Sequence, residues 1–600
     1  MTRKHYANLQ GLMIAALCCF SLSLHADGLS SNLPIIIINT DASINAQAKV
    51  HGTMKVVNKA KGRNSDTDTP TDYDGHIGIK LRGNSSLSFE QKKYTIETQD
   101  ADGNDLKVPL LGMPQESDWV LLAPYNDISM VRDVFAFNMW REMGHWAPRT
   151  QMCEVVVNGD YAGVYIFCEK IKRDKERVDL AKLKKGDVEG REVTGGYIVR
   201  VDAFDDGDAT FKSKVKGEPN MESPTPTASA GGFGQFGGGW GGWPWGGPMG
   251  QPSTVTWTVY HPKKEKLQPE QMAYIQDFVD RMEQSFQGDD WTNPDTGYQR
   301  YIDVPSFVDY FIHTELSLNA DGFKRSAYFT KDKDPDDGTE AKMKAGPVWD
   351  YNLAYGNCNF ANANNLEAWC FEGANTNPTP ALWQRLLQDP AFHKAVKVRY
   401  KELRKGVLSS KAINSYIDRH ARLLAPCVDR HFEKYPELLV SEEEKEQLAS
   451  QPSFGGFGGF GGFGGGFPPM GGGFPMPDSI PQFPGGFPPM GGGFPMPDSI
   501  PQFPGGFPPM GGGFPPMGDF GGFGDFGGFG GFNAVGMFAA YRVSSYDEEI
   551  KVLKQWIADR LAFLDRNIER FDRDWQPRIQ ELREVKMPQF GGFGGGGFPF

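Results

Sequence analysis

Cysteine is scarce in this chain. Of 600 residues seven are cysteine, and two of these, Cys18 and Cys19, lie within the first 26 positions. The other five are Cys153, Cys168, Cys358, Cys370 and Cys427. An odd number leaves at least one free thiol, and proximity favours Cys358 with Cys370 for any bridge. No cysteine spacing resembles a zinc site and no HExxH occurs, so the commonest zinc centres are excluded. Positive charge is short as well: 62 Lys and Arg face 75 Asp and Glu, a formal net charge of -13. Nucleic acid wants a basic footprint and is excluded as the main partner. There is no P-loop, and the strand-rich N-terminal region has no GxGxxG. Long apolar runs are confined to one, Leu12 to Leu24.

That single run follows Arg3, Lys4 and His5 and precedes His25-Ala26-Asp27. A charged start, an apolar middle and a small residue at a cleavage point describe a secretory signal, residues 1–26. The run is short for a membrane span. A lipoprotein signal at Cys18 or Cys19 is the weaker alternative, because Leu17 is bulky where a small residue is wanted. The mature chain is therefore expected to be exported (periplasmic, cell-surface or secreted) with no membrane span.

Glycine is in excess, at 74 residues, and it is concentrated. One block covers about 222–252 with Gly, Pro and Trp. A second covers 451–536, where residues 471–490 recur verbatim at 491–510. Gly, Phe, Pro and Met with almost no charge cannot fill a packed core. Exposed phenylalanines on such a chain suggest self-association or adhesion; an inert insertion is the alternative. The tail, 587–600, is Gly/Phe-rich again.

Between these blocks the pattern is regular. Residues 34–39, 51–57, 76–81, 91–98 and 118–123 read as strands. Residues 153–157 and 161–168 read as a hairpin about Asn158-Gly159, ending in Glu169. A strand is expected at 195–202. Helical spacing covers 126–144, 268–286 and 304–318, and 546–575 forms a strong amphipathic helix. That last helix needs a partner and is expected to pack back on the helices before the repeat. Residues 324–330 and 342–349 read as paired strands that deliver Asp350. In the strand at 91–98, Lys92 shares the parity of Tyr94 and Ile96, so Lys92 rather than Lys93 is expected to point with the apolar face.

Four groups then stand out: Lys92, Glu169 at a strand end, Asp321 in a turn after a helix, and Asp350 at a strand end. A lysine for phosphates, an acid to hold it, an acid for metal and an acid for the acceptor are what ATP-dependent phosphotransfer requires. Each also has a plain structural use as an edge lysine, a surface ion pair or a turn former.

Several ordered segments carry a specific likeness. They are RGNSS at 82–86, LLGMPQESDWVLLAPYND at 110–127, VRDVFAFNMWREMG at 131–144 and VVVNGDYAGVYIFCEKIKR at 155–173. NADGFKRSAYF at 319–329, GPVWDYNLAYGN at 346–357 and EIKVLKQWIADR at 549–560 complete the set. In these the chain resembles the CotH family, the spore-coat-protein-H-type atypical protein kinases. The resemblance implies an α+β, two-lobed, kinase-like fold: a strand-rich N-lobe at 27–221, a helical C-lobe at 253–450 and a C-terminal helix at 537–586. It implies binding of ATP with Mg²⁺ or Mn²⁺ and phosphorylation of Ser or Thr on a secreted or surface protein. Lys92 resembles the phosphate-contacting lysine, with Lys93 as the fallback and Glu169 as its ion-pair partner. Asp321 resembles the catalytic-loop acid and Asp350 the metal-binding acid. Arg82, Gly83, Asn84, Ser85 and Ser86 occupy the place of a phosphate-covering turn. Ser326 and Asn352 stand where the family often has an asparagine and a second aspartate. Both can offer a metal an oxygen, with less charge. The rival expectation is a non-catalytic adhesion protein that carries its repeats on a kinase-like scaffold.

Overall fold

The computed structural model describes residues 28–204, 207–215, 255–358, 363–372, 380–445 and 541–570. The signal, the 222–252 block, the 451–536 repeat and the 587–600 tail lie outside them. The described chain is α+β. No helix in it is long and apolar enough to cross a membrane.

Seven strands close into a barrel. They are β1 (Ile35–Thr40), β2 (Val50–Val57), β3 (Tyr73–Arg82), β4 (Lys93–Gln99), β5 (Asp118–Leu122), β6 (Thr150–Val157) and β7 (Asp160–Glu169). Their order is β6-β7-β5-β4-β3-β2-β1, and the barrel closes through a parallel pairing of β6 with β1. The β6–β7 hairpin turns at Asn158 (φ 51°) and Gly159 (φ 86°), the left-handed pair a type I′ turn needs.

Alternation explains the closure. Ile36, Ile38, Met54, Ile77, Ile96, Trp119, Leu121, Val155 and Phe167 fill the interior. Burying each such side chain contributes about 2–3 kcal/mol. On β5 and β7 the opposite parity is apolar too. Val120, Leu122, Val164, Ile166 and Cys168 face outward into a second core shared with the helices. The run DWVLLA is continuous because both its faces are covered.

The second sheet has five antiparallel strands in the order β9-β10-β8-β11-β12. These are β8 (Tyr197–Val201), β9 (Ala209–Lys212), β10 (Thr256–His261), β11 (Ala327–Lys331) and β12 (Met343–Ala345). The strand expected to run to Trp349 stops at Ala345, because Gly346 turns at φ 96° and Pro347 has no N–H to continue the ladder.

The helices are α1 (Arg132–Glu142), α2 (Pro269–Ser285), α3 (Val304–Ser317), α4 (Ala381–Leu386), α5 (Pro390–Lys405), α6 (Ser410–Lys434) and α7 (Tyr546–Asn567). α1 begins six residues later than its periodicity suggests. Asp127 Oδ2 accepts the N–H of Arg132 at 2.9 Å and turns residues 127–131 into a looped approach. α3 starts at Asp303, whose carboxylate accepts from the N–H of Ser306 at 3.0 Å, and ends at left-handed Leu318. α7 starts at Ser545, whose hydroxyl accepts from the N–H of Glu548. It packs on α3 and α6 through Leu553, Trp556, Ile557 and Leu561.

All five cysteines outside the signal are free thiols. The expected Cys358–Cys370 bridge does not form. Cys370 Sγ donates to the carbonyl of Asn319 at 3.5 Å, while Cys358 packs with Ala320 and Ala363.

Candidate functional site

Three loops supply the site. One joins β3 to β4, one leaves α3 as Asn319–Ser326, and one leaves β12 as Gly346–Asn357. Eight non-glycine residues have positive φ among those described. Four of them, Phe323, Ser326, Asp350 and Tyr355, fall in the second and third loops, and a fifth, Leu318, ends α3 just before the second. Left-handed conformation costs such residues about 1–2 kcal/mol each, and strain of this kind collects where geometry is functional.

The lysine expected at the site is displaced by one position. Lys92 lies outside β4 and donates its Nζ to the carbonyls of Leu87 (2.8 Å) and Phe89 (2.5 Å), closing the β3–β4 loop on itself. Lys93 is the first residue of β4 and is 8 % exposed. Its Nζ lies 4.0 Å from Asp350 Oδ1. β4 belongs to a sheet with two apolar faces, and parity with Tyr94 and Ile96 selects only the barrel interior. Tyr94 and Ile96 point into the barrel, whereas Lys93 points out toward the helices.

Asp350 is partly open, with its side chain 38 % exposed. Its main-chain oxygen accepts from Asn319 Nδ2 at 3.4 Å, which ties the second loop to the third. Asp321 is buried in the turn after α3, and its N–H donates to Asn319 Oδ1. Burial first, then the charge of Asp350, push its carboxyl up to about 6, with Lys324 and Arg325 opposing.

Two further acids converge on the site. Asp133, in the first turn of α1, accepts the N–H of Tyr351 at 2.6 Å. Burial and then Asp350 push its carboxyl up to about 7, while Lys93 draws it down. Asp202, just past β8, is raised by burial and by Asp350, and lowered by Arg200 and by the N–H groups of Ala203 and Ser326. Asp202 had the same signal in the sequence as Asp350, an acid at a strand end. Asp133 had only its position in the first turn of a helix that also carries Arg132, Asn138, Arg141 and Glu142.

The remaining expected residues divide. Ser326 is joined to Asp202 through its backbone N–H. Asn352 donates its side-chain amide to Asn126 Oδ1 at 2.9 Å, and its main-chain carbonyl accepts from Asn357 Nδ2 at 2.7 Å. Arg82 lies over the Trp349 ring, 5.0 Å from its centroid, at the base of the Asp350 loop. Gly83 has φ 112°, and a Cβ there would meet Ser86 Oγ at 2.0 Å. Asn84 then precedes the short 3₁₀ turn Ser85–Ser88.

Glu169 is elsewhere. It is fully buried and is held by Arg149, whose Nε reaches Oε2 at 2.9 Å and whose Nη2 reaches Oε1 at 2.8 Å. Arg177 approaches the same carboxylate at 3.5 Å. Glu169 therefore partners neither Lys92 nor Lys93; Asp350 and Asp133 are the acids near Lys93.

Asp133, Asp202, Asp321 and Asp350 crowd negative charge that a divalent cation relieves, and oxygen donors suit Mg²⁺ or Mn²⁺. Among the described residues no three His, Cys, Asp or Glu side chains enclose a common point as a metal cage. An open partial set fits a cation that also takes phosphate and water oxygens, as Mg²⁺ does in phosphotransferases.

The chain matches the family model described as CotH kinase protein over residues 79–233 and 250–451. No curated protein matches it. The matched segments carry Lys93, Asp133, Asp202, Asp321 and Asp350 alike, and the chain belongs to the CotH kinase family.

Proposed function

We propose that the protein is an ATP-dependent protein kinase that transfers the γ-phosphoryl group to a Ser or Thr hydroxyl of a secreted or surface protein. The barrel would serve as the N-lobe, and the five-stranded sheet with the helices as the C-lobe. The observation that carries this reading is the approach of Lys93 to Asp350, with Asp133, Asp202 and Asp321 around them.

The roles follow from position. Lys93 neutralises phosphate oxygens, and Asp133 and Asp350 hold its ammonium in place. The turn Arg82–Ser86 covers the phosphates, with Gly83 giving the backbone close approach. Asp350 and the side-chain oxygen Oδ1 of Asn352 are the metal donors. When bound, the metal neutralises charge on the phosphates. Asp321 orients the acceptor hydroxyl and takes its proton. The acceptor oxygen forms the new P–O bond as the bond from the γ-phosphorus to the bridging oxygen breaks, and ADP leaves with that electron pair.

Export of the chain and its protein substrate belong to the same proposal and are supported by the N-terminal signal pattern. The test is phosphate transfer from labelled ATP by the mature chain with Mg²⁺ or Mn²⁺, beside an Asp350→Ala control. Incorporation that the control loses supports the reading. No incorporation and no ATP binding with either metal would sink it and favour an adhesion role for the repeats.

A further inference from the structure

α7 is the last helix of the described chain, and the phosphotransfer roles leave it without a task. Its buried face nevertheless reaches the Asp350 loop and, through Arg560, the last turn of α3, from which the Asp321 loop leaves. Glu549 Oε1 accepts from Arg132 Nη1 at 2.7 Å and from the Tyr541 hydroxyl at 3.0 Å. Arg132 continues into the Asp350 loop. Its Nε donates to the carbonyl of Ala354 at 3.1 Å and its Nη2 to that of Tyr355 at 3.5 Å, while Nη1 also reaches Asp127 Oδ1 at 2.5 Å. Arg132 is 0 % exposed and Glu549 1 %, so neither charge has water as an alternative partner.

Two turns along the same face, Trp556 lies against Gly356. A Cβ at Gly356 would come within 2.5 Å of the indole ring, and its φ of +78° favours glycine in any case. One turn further, Arg560 donates to the Glu315 carbonyl at 3.0 Å and to Glu315 Oε2 at 3.3 Å. It also bonds the carbonyls of Leu366 (2.8 Å) and Ala368 (2.6 Å). Glu315 belongs to the last turn of α3, directly before the Asp321 loop, and its carboxylate accepts the N–H of Cys370 at 2.7 Å. The Asp350 loop is also tied to the end of α3, where the N–H of Tyr355 donates to the Ser317 carbonyl at 2.7 Å.

Buried loop carbonyls need donors, and here those donors are guanidiniums oriented by α7 or carried on it. Both loops contain strained left-handed residues that only surrounding contacts can hold. We propose that α7 sets the geometry of the reaction centre. Arg132 and Glu549 are positioning residues for Asp350, and Arg560 is one for Asp321. The inference rests on the phosphotransfer function proposed above.

Without the Glu549 charge, Arg132 is drawn toward Asp127 and slackens its hold on the Ala354 and Tyr355 carbonyls. The Asp350 loop then relaxes and metal–nucleotide binding weakens. Groups that orient metal ligands from behind change affinity by about 10- to 100-fold.

The experiment uses the full mature chain and measures KM for metal–ATP and kcat separately, with a thermal melt for each variant. Glu549→Gln is expected to raise KM by about tenfold or more. Arg560→Gln is expected to lower kcat with KM near parental. Tyr541→Phe removes only one hydroxyl from the network and should raise KM by a smaller factor. It decides the matter if Glu549→Gln fails to fold. Lys554→Ala is the control: on the same helix it pairs with Asp418 at 2.8 Å and touches neither loop, so both constants should stay parental. A parent that transfers phosphate while Tyr541→Phe and any folded Glu549→Gln keep parental KM overturns the inference alone. A parent that transfers none overturns the phosphotransfer proposal, and the inference with it.

Discussion

Lys93 and Asp350 meet at 4.0 Å although 257 positions separate them, while Lys92, the neighbour of Lys93, is spent on the carbonyls of its own loop. One residue of offset along a strand exchanges the barrel interior for the helix-facing side. The identity of the working lysine is therefore a geometric matter and a discriminating one to test.

Lys93→Met is expected to abolish detectable ATP-dependent transfer, a fall of about 100-fold or more, since a preorganised charge at the phosphates acts directly on the transition state. Lys92→Met should retain transfer within a few-fold and lose some stability instead. Removing its ammonium leaves two carbonyls without a donor, about 1 kcal/mol each. Steady-state transfer and denaturant melts on both variants separate the two effects. Equal loss of transfer in both would contradict the assignment of Lys93.

Asp321→Asn should lower kcat by about 10²- to 10⁴-fold, the range for losing a positioned proton acceptor. KM for ATP should remain near parental, because Asp321 faces the acceptor in this scheme and not the nucleotide. Asp350→Asn should affect both constants and lessen the stabilisation by metal–ATP in a thermal melt. A matching pattern for the two variants would mean that the two acids share one role.

Arg149→Met tests the buried pair that the strand-end position of Glu169 does not reveal. The fully buried carboxylate would keep the main-chain N–H of residue 149, at 2.9 Å, and the more distant Arg177 at 3.5 Å. Breaking a buried pair costs about 3–5 kcal/mol, and Arg177 should hold the loss to roughly 2–3 kcal/mol. Urea unfolding measures it. Nucleotide affinity should not move, because Glu169 is not the lysine's partner; a rise in KM for ATP without destabilisation would restore it to the site.

Much of this arrangement was legible in the residues themselves. The strands at 34–39, 51–57 and 118–123, the Asn158-Gly159 turn and the α7 stripe all announce themselves by period and turn chemistry. Asp321 and Asp350 announce themselves as acids beside turns. Closure of the barrel through a parallel β1–β6 pair was not legible, because strand order leaves no local mark. Lys93 stands only as the fallback to Lys92 in the sequence, because parity distinguishes two faces but does not say which one a ligand meets. Asp133 and Arg132 were missed for a related reason. Their partners, Tyr351, Ala354 and Glu549, lie more than 200 positions away, and nothing around Arg132 indicates where a buried guanidinium will find its acceptors.

Glu283 gives the fold a pH dependence away from the site. It is buried on α2, where Oε2 accepts from the Ser213 hydroxyl and Oε1 from Trp257 Nε1 at 3.0 Å. Burial outweighs both hydrogen bonds and pushes its carboxyl up to about 7 from an ordinary 4.5. The sign follows from proton count. Below about pH 4.5 the folded and unfolded chains both hold this proton, and the group is neutral to stability. Between about 4.5 and 7 the unfolded chain releases the proton and the folded chain keeps it, so stability falls as pH rises. It levels off once both forms are ionised. At about 1.4 kcal/mol per unit the full loss is on the order of 3 kcal/mol. Glu283→Gln removes the ionisation while retaining an acceptor oxygen, so its unfolding free energy should fall less between pH 5 and 8 than that of the parent. Urea unfolding at four pH values across that interval measures the difference. Parallel curves for parent and variant would show that Glu283 is already ionised in the folded chain at pH 5.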